Sequence, residues 1–121
     1  MNIEQFRDYC LHKKAVTEHF PFDEHTLVFK VAGKMFALAS LKKWEEGDAF
    51  INLKCDPDYA LELRESYASI QPGYHMHKQQ WNSVYLHNND LPPQLITSLI
   101  DHSHEMVIKG MTKKLRDSLK D

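Results

Sequence analysis

The segment Leu27-Val28-Phe29-Lys30-Val31-Ala32-Gly33-Lys34-Met35-Phe36-Ala37-Leu38-Ala39-Ser40-Leu41 reads as a β-hairpin, and the rest of the chain is arranged around it. Its two runs, Leu27 to Val31 and Lys34 to Leu41, are dense in branched, aromatic and small apolar residues, which suit a pleated, half-buried surface. Gly33 between them is the one nearby residue that takes a positive φ cheaply, so the chain reverses there. Upstream, Phe20-Pro21-Phe22-Asp23 is a connector, because Pro21 has no amide donor and restricts the residue before it. Before that, Asn2 with Gln5 three residues later makes a capping pair. Ile3, Phe6 and Cys10 then recur on one face, predicting a helix to about His12.

Downstream of the hairpin, Trp44-Glu45-Glu46-Gly47-Asp48 is a break, followed by a third strand from Phe50 to Cys55. There Ile51, Leu53 and Cys55 alternate with Asn52 and Lys54, as in a strand wetted on one side. Asp56 before Pro57 starts a helix, since the carboxylate accepts first-turn amides and proline needs no donor at that position; it runs to about Ala68. Pro72-Gly73 interrupts the chain. Trp81 to His87 has strand composition and is ended by Asn88-Asn89-Asp90, which completes a second hairpin. From Pro93, the positions Leu95, Ile96, Leu99, Ile100, Ser103, Met106, Val107 and Met111 trace one helix face up to a break at Gly110. Lys113, Lys114, Arg116 and Lys120 form a basic final segment compatible with a helix. Paired strands with helices at both ends and one in the middle predict a single α+β domain over residues 1–121. Its order is α-β-β-β-α-β-β-α, with a mainly antiparallel sheet and helices on one face.

The composition supports one core: 121 residues with 42% hydrophobic and 11% aromatic side chains can fold as a unit. Charges near the N-terminus, in Glu4, Arg7 and Asp8, fall where a secretory signal places its apolar core, which predicts a cytoplasmic protein. The longest uncharged apolar stretch, Met35 to Leu41, is far short of the ~20 residues that cross a bilayer. Cys10 and Cys55 lack the number and spacing of a disulfide framework and read as buried thiols. A formal charge of −2 provides no global attraction to nucleic acid or anionic lipid, so any such attraction is local.

Four glycines, Gly33, Gly47, Gly73 and Gly110, assemble neither a phosphate loop nor a dinucleotide fingerprint, and no nucleophile elbow is present. No catalytic constellation is recognisable, and no cofactor is implied. His75 and His77 would share one side of an extended segment as two metal ligands do, but no third ligand accompanies them. A polar sheet face is the plainer reading. His102 and His104, two apart on a helix, do not share a face. Glu45, Glu46 and Asp48 read as a solvated loop. Pro72-Gly73-Tyr74-His75-Met76-His77-Lys78-Gln79-Gln80-Trp81-Asn82 concentrates aromatic faces, a lysine and amides, the mixture that nucleic-acid contacts use; a wet turn with Trp81 anchoring the core uses it too.

Here the chain resembles the MmcQ/YjbR family of small bacterial proteins. The resemblance is carried by Phe20-Pro21-Phe22-Asp23, Lys30 to Lys34 with Phe36-Ala37-Leu38, Asn52 to Pro57, Pro72 to Met76, and Trp81-Asn82. It implies a frataxin-type (CyaY-like) α+β fold and a DNA-binding surface described as a double wing of β-hairpins. Members that look like accessory proteins of antibiotic-resistance clusters imply small-molecule binding instead. The family supplies no agreed catalytic residue. Gln79 and Gln80 stand where members often carry a basic residue and a histidine, His77 where asparagine is usual, and Ser103-His104 where serine-tyrosine is frequent.

Two functions follow as expectations. In the first, a non-catalytic module binds double-stranded DNA. Lys30, Lys34, Lys42, Lys43 and Lys78 neutralise phosphates, and Gln79, Gln80 and Asn82 approach the groove. In the second, Tyr74, His75, Met76 and Trp81 line a pocket for a small molecule, which requires a concave site instead of a protruding basic face.

Overall fold

The computed structural model describes residues 1–87 and 89–119, so Asn88 and Lys120 of the sequence reading lie outside the described residues. The elements in chain order are α1 (Ile3–Leu11), β1 (Val16–His19), β2 (Thr26–Val31), β3 (Lys34–Ser40), α2 (Leu41–Glu45), β4 (Phe50–Lys54), α3 (Pro57–Ser66), β5 (Ile70–Pro72), β6 (Trp81–Tyr85), α4 (Pro93–Lys109) and α5 (Lys113–Ser118). The strands form one six-stranded sheet of order β1-β2-β3-β4-β6-β5, antiparallel at every pairing. This is the α+β class expected from the sequence. The relatives described below bear on that class and leave the frataxin-type likeness as an expectation.

The predicted capping signals operate as written. Asn2 Oδ1 accepts from Gln5 N–H at 2.8 Å while Asn2 N–H donates to Gln5 Oε1 at 2.9 Å. Asp56 Oδ2 accepts from Tyr59 N–H at 3.1 Å, with Pro57 in the first helical turn. The β2–β3 reversal places both Ala32 (φ 49) and Gly33 (φ 83) in the left-handed region, the conformation a two-residue hairpin turn requires to match the strand twist. β3 ends at Ser40, not Leu41, because the Ser40 hydroxyl accepts from Lys43 N–H at 3.3 Å and starts α2. The stretch read as a break is therefore partly helical. The second hairpin pairs β5 with β6 across a long loop; β6 stops at Tyr85 and α3 at Ser66, each two residues short of the sequence reading. β1 is absent from the sequence expectation. It is an edge strand, entered through Ala15 at φ 62 and held by its pairing with β2.

Helices α1, α3 and α4 bury one face of the sheet. Phe6 and Cys10 of α1, Ala60 and Leu63 of α3 and Ile96, Leu99, Ile100 and Val107 of α4 pack on Leu27, Phe29, Val31, Ala37, Ala39, Ile51, Leu53 and Val84. Each large apolar side chain fully buried in this layer contributes about 1.5–3 kcal/mol. A β-bulge interrupts the alternation: Phe29 pairs with Ala37 and Lys30 with Met35, so Phe36 is the extra residue. Phe36 thereby joins Ala37 on the helical side. Its carbonyl accepts from the Ser103 hydroxyl of α4 at 2.5 Å, and that hydroxyl accepts from Lys54 N–H at 2.8 Å. One side chain thus bridges β3 and β4 where their ladder opens. Among the described residues, no helix is long and apolar enough to cross a membrane.

Candidate functional site

Among the described residues, the other face of the sheet carries no helix layer. Val28, Leu38 and Trp81 form a small apolar cluster there with Met35 and Met76, separate from the main core. The loop joining β5 to β6 folds over this face and, with Phe22 of the 20–25 connector and Lys43 of α2, borders a half-open chamber of ≈ 630 Å³. That volume lies within the range of ligand cavities, roughly 300–1,000 Å³.

The loop is held by a closed set of bonds. Ser83 Oγ accepts from Tyr74 N–H at 2.8 Å and donates to Asn52 Oδ1 at 2.5 Å, and Asn52 Nδ2 donates to Tyr74 O at 3.1 Å. Both backbone groups of Tyr74 are therefore tied to the sheet floor through two buried side chains, Asn52 (7% exposed) and Ser83 (0%). Gly73 permits the approach, since a Cβ there would meet Trp81 Cβ at 2.8 Å and Trp81 O at 3.0 Å. From α3, the Arg64 guanidinium donates from Nε to Asn82 Oδ1 at 2.7 Å and from Nη2 to the carbonyls of Lys78 and Trp81. The far end of the loop is thereby fixed from the helical side. The result is a preformed cavity, not a slack turn.

Tyr74, His75, Met76 and Trp81, named together from sequence as a pocket, do line one chamber. The Tyr74 ring stands edge-on to Phe50 (5.9 Å, 84°) and close to the His75 ring (4.0 Å). The segment is not extended, as the His75/His77 reading supposed. His75 has φ 57, and the amides of Met76 and Gln80 bond back to the carbonyls of Gly73 and His77, which makes it a run of turns. Among the described residues, no group of three or more potential ligands is placed to hold a metal. Burial pushes the Cys10 and Cys55 thiols up to about 12, so neither is a thiolate nucleophile near neutrality.

The residues assigned to DNA do not form one surface. Lys30 and Lys34 flank the β2–β3 turn, whereas Lys42 and Lys43 follow the opposite end of β3, a separation of roughly 20 Å at the strand rise. Lys43 stands beside Glu46, Nζ to Oε2 at 3.7 Å. Lys78 directs its ammonium at Gly73 O (3.5 Å), while Gln79 and Gln80 are exposed. Asn82 is the correction. It is 2% exposed on the helical side of β6 with its oxygen held by Arg64, so it does not reach a groove. Sequence reasoning missed Met35, Leu38, Phe50, Asn52 and Ser83 as site residues, because strand pairing brings them together from three separate segments. Asn52 and Ser83 left one trace, a polar residue inside each of two apolar strands.

The YjbR family model matches residues 11–106. The chain belongs to the YjbR family. The YjbR protein of Escherichia coli K12, an uncharacterised protein, is 28% identical over 119 residues, covering 98% of both chains. The uncharacterised YbdF of Escherichia coli O157:H7 is 41% identical over 95 residues, 78% of this chain and 75% of that one. Among solved structures, a Deinococcus radiodurans protein with a DUF419 domain superposes with a TM-score of 0.87 at 36% identity, covering 98% of this chain and 87% of that one. A Pseudomonas syringae protein does so with a TM-score of 0.73 at 30% identity, over 88% and 98%. The chamber-forming elements β3, β4 and β6 and the loop before β6 all lie inside the YjbR match.

Proposed function

We propose that this YjbR-family protein is a non-catalytic, cytosolic binding module that holds a small, largely apolar molecule on the open face of its sheet. The observation that carries the reading is the ≈ 630 Å³ chamber, walled by Met35, Leu38, Met76 and Trp81 and kept open by the Asn52–Ser83–Tyr74 bonds. An apolar wall of this size drives binding by removing ligand surface from water, and a preformed loop spares the ordering cost. The reading is tested with the neutral dye N-phenyl-1-naphthylamine and the variant Trp44→Phe, which leaves Trp81 as the sole tryptophan. Saturable dye emission with matching loss of Trp81 emission is expected. Absence of saturable binding would sink the reading.

Binding of double-stranded DNA is the second reading, favoured by one placement. Exposed Lys34, Gln79 and Gln80 lie with Lys78 at the end of the sheet that holds the β2–β3 turn and the start of β6. Each phosphate neutralised adds about 0.9 to the slope of log affinity against log salt. Anisotropy of a labelled duplex from ~50 to ~200 mM salt distinguishes the two readings: a steep slope abolished by Lys34→Ala with Lys78→Ala supports DNA. No binding at low salt removes it.

A further inference from the structure

We propose that the molecule in the chamber carries an anionic head group, a carboxylate or comparable oxyanion, and that Lys43 receives it; the inference rests on the pocket reading above. Three observations lead there. Among the described residues, the titratable side chains lining the chamber are, apart from the Tyr74 phenol, Lys43, His75 and His77, all bases, and no aspartate or glutamate lines it. The apolar walls therefore meet a rim whose charge has one sign. The buried polar groups of the floor, Asn52 and Ser83, bond each other and Tyr74, so of the donors left at the rim it is the bases that can also carry positive charge.

Lys43 is also placed to exchange partners. It lines a second cavity of ≈ 230 Å³ with Asp48, Phe50, Tyr74 and Tyr85, so it stands at the junction of the two spaces. Its ion pair with Glu46 is loose at 3.7 Å, with the two side chains 42% and 43% exposed. Pairs of this kind contribute little, so trading Glu46 for a ligand oxyanion costs little. Asp48 lines only the smaller cavity, and its repulsion steers an anionic head to the chamber side of Lys43. The ligand class is thus an amphipathic organic acid, with its apolar body against Met35, Leu38, Met76 and Trp81 and its acid at Lys43.

The test compares two dyes with the same aromatic body, neutral N-phenyl-1-naphthylamine and its sulfonated relative 1-anilinonaphthalene-8-sulfonate. They are titrated into the wild type and into Lys43→Met, Lys43→Arg and Lys42→Met. A charge-assisted contact at Lys43 predicts that the sulfonate binds wild type about tenfold or more tightly than the neutral dye. Lys43→Met should collapse that ratio, Lys43→Arg should restore it, and Lys42→Met, an exposed neighbour outside the chamber, should leave it unchanged. If the neutral dye binds but the wild-type ratio is near one, the head-group inference is overturned while the pocket stands. A high ratio that survives Lys43→Met overturns the assignment to Lys43. If neither dye binds, the pocket reading itself has failed.

Discussion

Replacing Ser83 by alanine removes one hydroxyl and strands two polar groups, because that oxygen accepts from Tyr74 N–H and its hydrogen goes to Asn52 Oδ1. Ser83 is 0% and Asn52 7% exposed, so water does not readily replace the lost partner at the floor. Each polar group left unsatisfied in a buried setting costs about 1–3 kcal/mol, and Tyr74 at the chamber mouth falls at the lower end, giving a total of about 2–4 kcal/mol. For a chain of this size that lowers the melting temperature by roughly 10 °C or more. Circular dichroism during heating and in urea measures the loss, and the affinity for N-phenyl-1-naphthylamine at a temperature where the variant is folded measures the chamber. Affinity should fall along with stability, since the loop that walls the cavity loses its tie. Asn52→Ala breaks the same set, so the double variant should cost less than the two single losses combined, by about 1 kcal/mol or more. A loss below about 0.5 kcal/mol for Ser83→Ala, the size of an ordinary surface change, would refute the reasoning. Strict additivity in the double variant would refute it too.

Other consequences can be checked with similar assays. Ser103→Ala leaves Phe36 O and Lys54 N–H without their shared partner at the β-bulge and should cost about 2–4 kcal/mol in urea unfolding. Gly73→Ala drives a Cβ to within 2.8 Å of Trp81 Cβ and should lower both the melting temperature, by a loss of about 1–3 kcal/mol, and dye affinity. Burial lowers the His104 pKa in the folded state, so the unfolded chain binds more protons as pH falls through the ordinary imidazole range. Stability should therefore drop from pH 7.5 toward pH 5.5, about the range in which imidazole protonates, and His104→Leu should flatten that slope. Carboxylates do not mimic this. The Arg7 hydrogen bond holds Glu18 low, and at Asp101 burial raises the pKa but bonds from Lys13 and Tyr9 outweigh it, so both groups lose their contribution only in more acidic solution.

The parts of the fold legible in the sequence are those whose determinants are local. Asn2 with Gln5, Asp56 with Pro57, the reversal at Gly33 and the long periodic face of α4 each act within a few residues of where they are written. β1 was not legible, because Val16-Thr17-Glu18-His19 carries almost no apolar alternation and is a strand only through its pairing with β2. α2 is too short to show a helical period, and its Ser40 cap lies inside what reads as continuous strand. Nor was the bulge, since Met35 to Ala39 is apolar throughout and conceals the change of side at Phe36. The same division holds for the site. Tyr74, His75 and Met76 were legible together with Trp81 because one loop and the first residue of the strand it enters present them. The roles of Asn52 and Ser83 depend on the β4–β6 register, which pairs them directly. The lysines assigned to one DNA face were grouped by nearness in sequence, and β3 carries them to opposite ends of the sheet.

The central claim, a ligand chamber on the helix-free face, is tested most directly by methyl NMR of protein labelled at its five methionines, titrated with N-phenyl-1-naphthylamine. Met35 and Met76 line the chamber; Met1 is exposed at the N-terminus, Met106 lies on α4, and Met111 is buried with the main core. The account predicts saturable shifts of Met35 and Met76 with the other three methyls unmoved. Saturable shifts centred on Met106 and Met111, or no shift at Met35 and Met76 while dye binds, would contradict it.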